Sequence, residues 1–107
     1  MAITIKQGDA FAMPIKVSIN GAPVAAGDVT SVEFMFGDVR KTYPEDGYYN
    51  AEDGSFYIRL KQEDTLALPA DDTIMLDTRV KFNDGSVVGV TKMTPIMIVD
   101  ATSEVVI

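Results

Sequence analysis

The stretch Ile74-Met75-Leu76-Asp77-Thr78-Arg79-Val80-Lys81-Phe82 decides the fold. Ile74, Leu76, Thr78, Val80 and Phe82 fall on one face at a spacing of two, with Asp77, Arg79 and Lys81 on the other, which is the signature of a half-buried β-strand. Asn83-Asp84-Gly85 closes it as a turn, and Ser86 to Met93 reads as the returning partner. Upstream, Lys61 to Leu68 breaks the period of two. Leu60, Leu66 and Leu68 with Gln62, Glu63, Asp64 and Thr65 between them fit one helical turn before Pro69, so residues 61–68 read as a short helical crossover between strands.

The same alternation recurs outward from there. Phe56, Ile58 and Leu60 form one strand, and Val32, Phe34 and Phe36 another, with Glu33 and Met35 opposite. Gly37-Asp38 then turns the chain into a polar strand through Val39, Lys41 and Tyr43. Phe11, Met13, Ile15, Val17 and Ile19 make a long strand that closes at Asn20-Gly21, a pair that accepts positive φ. Met1 to Gln7 reads as a first strand and Pro95 to Val106 as the last strand or pair of strands. Seven or so strands with a turn about every ten residues predict an all-β fold, an immunoglobulin-like antiparallel β-sandwich as a single domain over residues 1–107. A small barrel is the alternative.

Composition limits the chemistry. The 107 residues carry a net charge of −7, with 9 basic and 16 acidic side chains, and neither Cys nor His. Thiol nucleophiles, disulfides and Cys-based zinc sites are thereby excluded, as are the usual general base and the commonest metal ligand. No nucleophile or phosphate-binding motif is present, so no catalytic residue, metal site or cofactor is expected. The basic residues are scattered, which argues against direct binding to nucleic acid or an anionic membrane. No run is apolar for the roughly 18 residues of a membrane span, and no signal peptide is expected.

The acidic groups Glu45, Asp46, Glu52 and Asp53, and Asp71-Asp72, lack the spacing of a calcium loop and read as turn formers. Tyr43, Tyr48, Tyr49 and Tyr57 can stack on a ligand or cap the core. Among them Tyr48 and Tyr49 lie in the turn-rich stretch from Pro44 to Gly54 and form the candidate ligand loop. Met35 and Met75 fall on the outward face of their strands. With Met97 in the apolar run Pro95 to Val99, and Val105, Val106 and Ile107 at the end of the chain, they make a candidate assembly surface, because flexible methionine suits adaptable contacts.

The opening Lys6-Gln7-Gly8-Asp9-Ala10-Phe11 is followed by Gly21, Asp28-Val29, Val32-Glu33-Phe34, Gly54 to Leu60, Glu63-Asp64-Thr65 and Asp84-Gly85. This order resembles the immunoglobulin-like N-terminal domain of tailed-phage baseplate upper proteins and related small phage and prophage virion proteins. The resemblance implies a structural role in the virion, with other virion proteins and copies of the chain itself as partners. It carries no catalytic residues over. The runner-up expectation is a carbohydrate-binding module of a phage fibre, and a third is an acidic inhibitor that mimics DNA.

Overall fold

The computed structural model describes residues 3–101. The chain is mostly β, with eleven strands among the described residues. They are β1 (Ile3–Lys6), β2 (Phe11–Ile15), β3 (Ser18–Ile19), β4 (Ala22–Pro23), β5 (Val29–Phe36), β6 (Val39–Tyr43), β7 (Gly47–Asn50), β8 (Ser55–Leu60), β9 (Asp72–Phe82), β10 (Val87–Gly89) and β11 (Thr94–Val99). One α-helical turn, α1 (Gln62–Leu66), lies inside the expected crossover.

The strands form a six-stranded sheet in the order β1-β11-β9-β5-β6 with β10 also on β9, a three-stranded sheet β2-β8-β7, and the β3-β4 hairpin. Burial follows the alternation. Ile74, Leu76, Thr78 and Val80 of β9 are buried, as are Val32, Phe34 and Phe36 of β5, and Phe56, Ile58 and Leu60 of β8. These apolar, β-branched and aromatic residues suit a pleated surface with one face covered. The inner faces of the large and small sheets share one apolar cluster. Within it Phe34 of β5 lies 6.2 Å from Phe56 of β8, and Tyr43 of β6 meets Phe56 edge-on at 5.0 Å.

Turn chemistry sets the hairpins. Asn20 and Gly21, at φ 53° and 81°, supply the two left-handed residues of the β3-β4 turn. Gly47 is required for a different reason, since a Cβ there would stand 2.2 Å from the Tyr57 carbonyl oxygen on the neighbouring strand. The Gln7-Gly8-Asp9 segment is tied to α1. The Gln7 side-chain amide donates to the Leu68 carbonyl at 2.7 Å and accepts from the Ala101 N–H at 3.3 Å. Fully buried Thr65 accepts from the Gly8 N–H and donates to the Asp9 carbonyl, both at 2.9 Å.

Two expectations are corrected. The sheet is mixed rather than antiparallel throughout, because β1 pairs in parallel with β11, Ile3 facing Ile96 and Lys6 facing Val99. Turn signals dictate the pairing of strands joined by hairpins, and β1 and β11 are separated by nearly the whole chain. The strand number also exceeds seven. The segment read as one strand from Phe11 to Ile19 divides at Lys16-Val17 into β2 and β3, and each pairs with a different partner. The returning segment Ser86 to Met93 is strand only over Val87–Gly89. β10 and β11 follow one another along the same edge of β9, separated by residues 90–93.

Candidate functional site

The outward face of the six-stranded sheet carries the methionines. Strand alternation puts Met35 of β5, Met75 of β9 and Met97 of β11 opposite the core-facing residues. Met97 is 53% exposed and Met75 41%, whereas Met35 is half-buried. Met75 lies directly across from Pro95, with Met97 two residues farther along β11. Met35 lies across from Asp77, two residues along β9 from Met75. The three methionines therefore run diagonally over three adjacent strands, within reach of their long side chains. Val99 extends the apolar row at the end of β11. Val105, Val106 and Ile107 lie outside the described residues.

Beside this row is a charged group. Glu33 of β5 accepts from Arg40 Nε at 2.7 Å and from Arg79 at 2.9 Å, one arginine from the strand on each side. The Arg40 hydrogen bond holds the Glu33 carboxyl below its ordinary value; partial burial opposes the shift and Arg79 reinforces it.

Tyr48 and Tyr49 are neighbours on β7 and so point to opposite faces of the small sheet. They do not form one site. Tyr49 packs inward on Phe56 at 4.9 Å. Tyr48 is 47% exposed on the outer face and stacks on Tyr57 of β8, with ring centroids 5.1 Å apart and planes within 3°. Pro14 of β2 lies across Tyr57 on the other side, so Pro14, Tyr57 and Tyr48 form a row over three strands. The Tyr57 hydroxyl donates to the Asp53 carboxylate, which lowers the Asp53 pKa and raises that of Tyr57.

A third feature lies beside α1, where a groove of about 720 Å³ is lined by Phe11, Lys41, Glu45, Asp46, Arg59 and Lys61, among others. Lys41 is buried, and its ammonium lies 2.6 Å from Asp64 of α1. Sequence reading placed Lys41 in a polar strand. The missed signal is its position between Val39 and Tyr43, on the parity that faces the core.

Asp46, Asp53 and Asp84 hold turns. Asp46 accepts from the Thr42 N–H at 2.9 Å, Asp53 from the Ser55 N–H at 2.9 Å, and Asp84 from the Ser86 hydroxyl at 2.6 Å. Among the described residues no group of three or more acidic side chains is placed to hold a metal ion. None of their helices is long and apolar enough to cross a membrane. No protein-family model, curated protein or solved structure matches the chain.

Proposed function

We propose that the protein is a structural component of a phage or prophage virion, an immunoglobulin-like β-sandwich that works by assembling with other virion proteins and with copies of itself. The observation that carries this reading is the diagonal of Met35, Met75 and Met97 across the outward face of the large sheet. Most outward positions of a solvated sheet are polar. A row of methionines there supplies apolar area that reshapes to fit a partner. The sequence order from Lys6-Gln7-Gly8-Asp9 to Asp84-Gly85 supports the virion assignment, and the packing of Phe34 on Phe56 between two sheets supports the sandwich. With a net charge of −7, the exterior discourages contact with packaged DNA.

The test is mass spectrometry and electron microscopy of purified particles produced by cells that carry the gene. Stoichiometric incorporation is expected; absence from the mature particle overturns the assignment. One observation favours a second reading, a carbohydrate-binding module. Tyr48 presents an aromatic ring to solvent, held upright by its stack on Tyr57. Glycan binding that is lost on Tyr48→Ala would establish it, and no binding across a glycan panel would remove it.

A further inference from the structure

β10 has a paired strand, β9, on one side only. Two bonds at its ends fix which of its backbone groups are used. The Phe82 N–H donates to the Ser86 carbonyl at 2.8 Å, and the Val90 N–H donates to the Thr78 carbonyl at 3.0 Å. Hydrogen-bonded residues alternate along an antiparallel ladder, so Ser86, Val88 and Val90 face β9, and the N–H and C=O groups of Val87 and Gly89 point the other way. No described strand pairs with that side.

On the outer strands of the same sheet, aspartates from the following turns occupy part of the edge. In β1 the Lys6 N–H donates to the Asp9 carboxylate and the Lys6 carbonyl accepts from the Asp9 N–H, both at 3.1 Å. Thr42 of β6 is closed in the same way by Asp46, at 2.9 and 2.7 Å. At β10 the nearest aspartate, Asp84, is engaged with the N–H and hydroxyl of Ser86 instead. The stretch Gly85 to Thr91 has no charged residue and no proline, although 23% of the chain is charged, and Val87 is 57% exposed. Charge, proline and bulges are what ordinarily keep an edge from pairing, and β10 has none of them.

We propose that β10 pairs antiparallel with the β10 of a second copy, with Val88 on the two-fold axis. Val87 of each copy then faces Gly89 of the other, and the two residues exchange both N–H···O bonds. Glycine opposite valine leaves room for the side chain, and no like charges stand opposite one another on the new ladder. Charge selects the register. With Val88 on the axis, exposed Asp84 at one end of the segment lies opposite exposed Lys92 of the second copy. Moving the axis to Val87 or Gly89 sets Lys92 against Phe82 or Ser86 and loses the match. So short a contact is weak by itself. Among copies already held close it acts at high effective concentration and fixes their orientation. That role rests on the assembly reading above, whereas the contact itself does not use the methionine face.

The test is amide NMR of the nitrogen-15-labelled full chain carrying Met75→Lys and Met97→Lys, which removes the methionine face as a source of association. Concentration-dependent shifts centred on Val87 and Gly89 are expected, with a Kd of about 1 mM. A mixture of labelled and unlabelled copies should show intermolecular contacts between Val87 and Gly89. Val87→Pro removes an N–H that β9 does not use and should weaken the contact at least about tenfold. Val87→Lys leaves the backbone intact and should weaken it at least about threefold, which keeps the test open if proline disturbs the strand. Lys92→Glu sets like charges at both ends and should weaken it about threefold at low salt, less at high salt. The proposal is overturned if no such shifts occur up to about 2 mM, if they map to other strands, if the Val87 and Lys92 variants associate as the starting protein does, or if only an extended peptide from another protein shifts Val87 and Gly89. Particle incorporation is read separately: incorporation without the edge contact leaves the virion reading standing, and an edge contact in a protein absent from particles leaves this inference standing.

Discussion

Lys41 of β6 and Asp64 of α1 meet at 2.6 Å, and this contact joins the edge of the large sheet to the helical crossover. Lys41 has only 9% of its side chain exposed and Asp64 21%. Asp64 also accepts the Lys61 N–H at 2.8 Å, so one carboxylate pairs with a buried cation and caps the first turn of the helix. Each role holds the side chain in place for the other.

Removing one partner of such a pair leaves an uncompensated charge, which costs more than the intact pair contributes. Asp64→Asn should therefore destabilise the protein by about 3 kcal/mol, although asparagine can still cap the helix. Lys41→Met alone should cost less, because the partly exposed carboxylate regains water and keeps its bond to Lys61. In the double variant the buried ammonium is gone, so its stability should exceed the additive expectation by at least about 1 kcal/mol. Urea unfolding of the four proteins measures the coupling, and simple additivity would show that the contact is incidental.

Acid should weaken the same contact. Burial pushes the Asp64 carboxyl up, but the hydrogen bonds from Lys41 and the Lys61 N–H outweigh it, and the net shift is downward from 3.8. Glu33 is also lowered, from 4.5, principally by Arg40. A carboxyl with a lowered folded-state pKa binds fewer protons in the folded than in the unfolded state, so stability falls as pH falls. The contribution should be complete above about pH 5 and should decline as pH drops through and below the ordinary carboxylate range. Unfolding midpoints from pH 7 to pH 2 test this. Asp64→Asn and Glu33→Gln should each flatten the acid limb, and an unchanged limb in both would refute the assignment.

The parts of the fold visible in the sequence are those with a strong period of two. Ile74 to Phe82, Val32 to Phe36 and Phe56 to Leu60 became strands with the expected faces inward, because burial and alternation agree at each position. The parallel β1-β11 pair left no local sign, since a parallel ladder between distant segments has no turn to mark it. Alternation also placed Met35 and Met75 outward, whereas Met97 sits in a run apolar on both faces that gave it no direction. It did not show that Tyr48 would stack on Tyr57, a relation set by β7-β8 register.

Gly47 and Gly85 should respond differently to alanine. At Gly47 a Cβ would collide with the Tyr57 carbonyl and come within 2.9 Å of Ile58, so β7 and β8 would have to separate. Gly47→Ala should cost more than about 2 kcal/mol. At Gly85 the space is open, and the obstacle is a φ of 91° alone. Gly85→Ala should cost about 1 kcal/mol, the strain of an L-residue in a left-handed turn. Thermal unfolding ranks the two, and a reversed order would contradict the close approach of β7 to β8.

The methionine face separates stability from assembly. Met75 and Met97 are 41% and 53% exposed, so charging both positions should leave the isolated fold within about 0.5 kcal/mol of the parent. Contact with a partner would bury the same positions, where two unpaired charges are costly. Met75→Lys with Met97→Lys should therefore preserve the circular dichroism spectrum and unfolding midpoint, yet abolish concentration-dependent self-association in sedimentation velocity and incorporation into particles. The neighbouring charges make lysine the informative choice: Asp77 lies two residues from Met75 on the same face and keeps the monomer tolerant of the substitution. If the double variant associates and incorporates like the parent, the outward face of the large sheet is not the assembly surface. The strands at the edges of the large sheet among the described residues, β1, β6 and β10, would then be the next candidates.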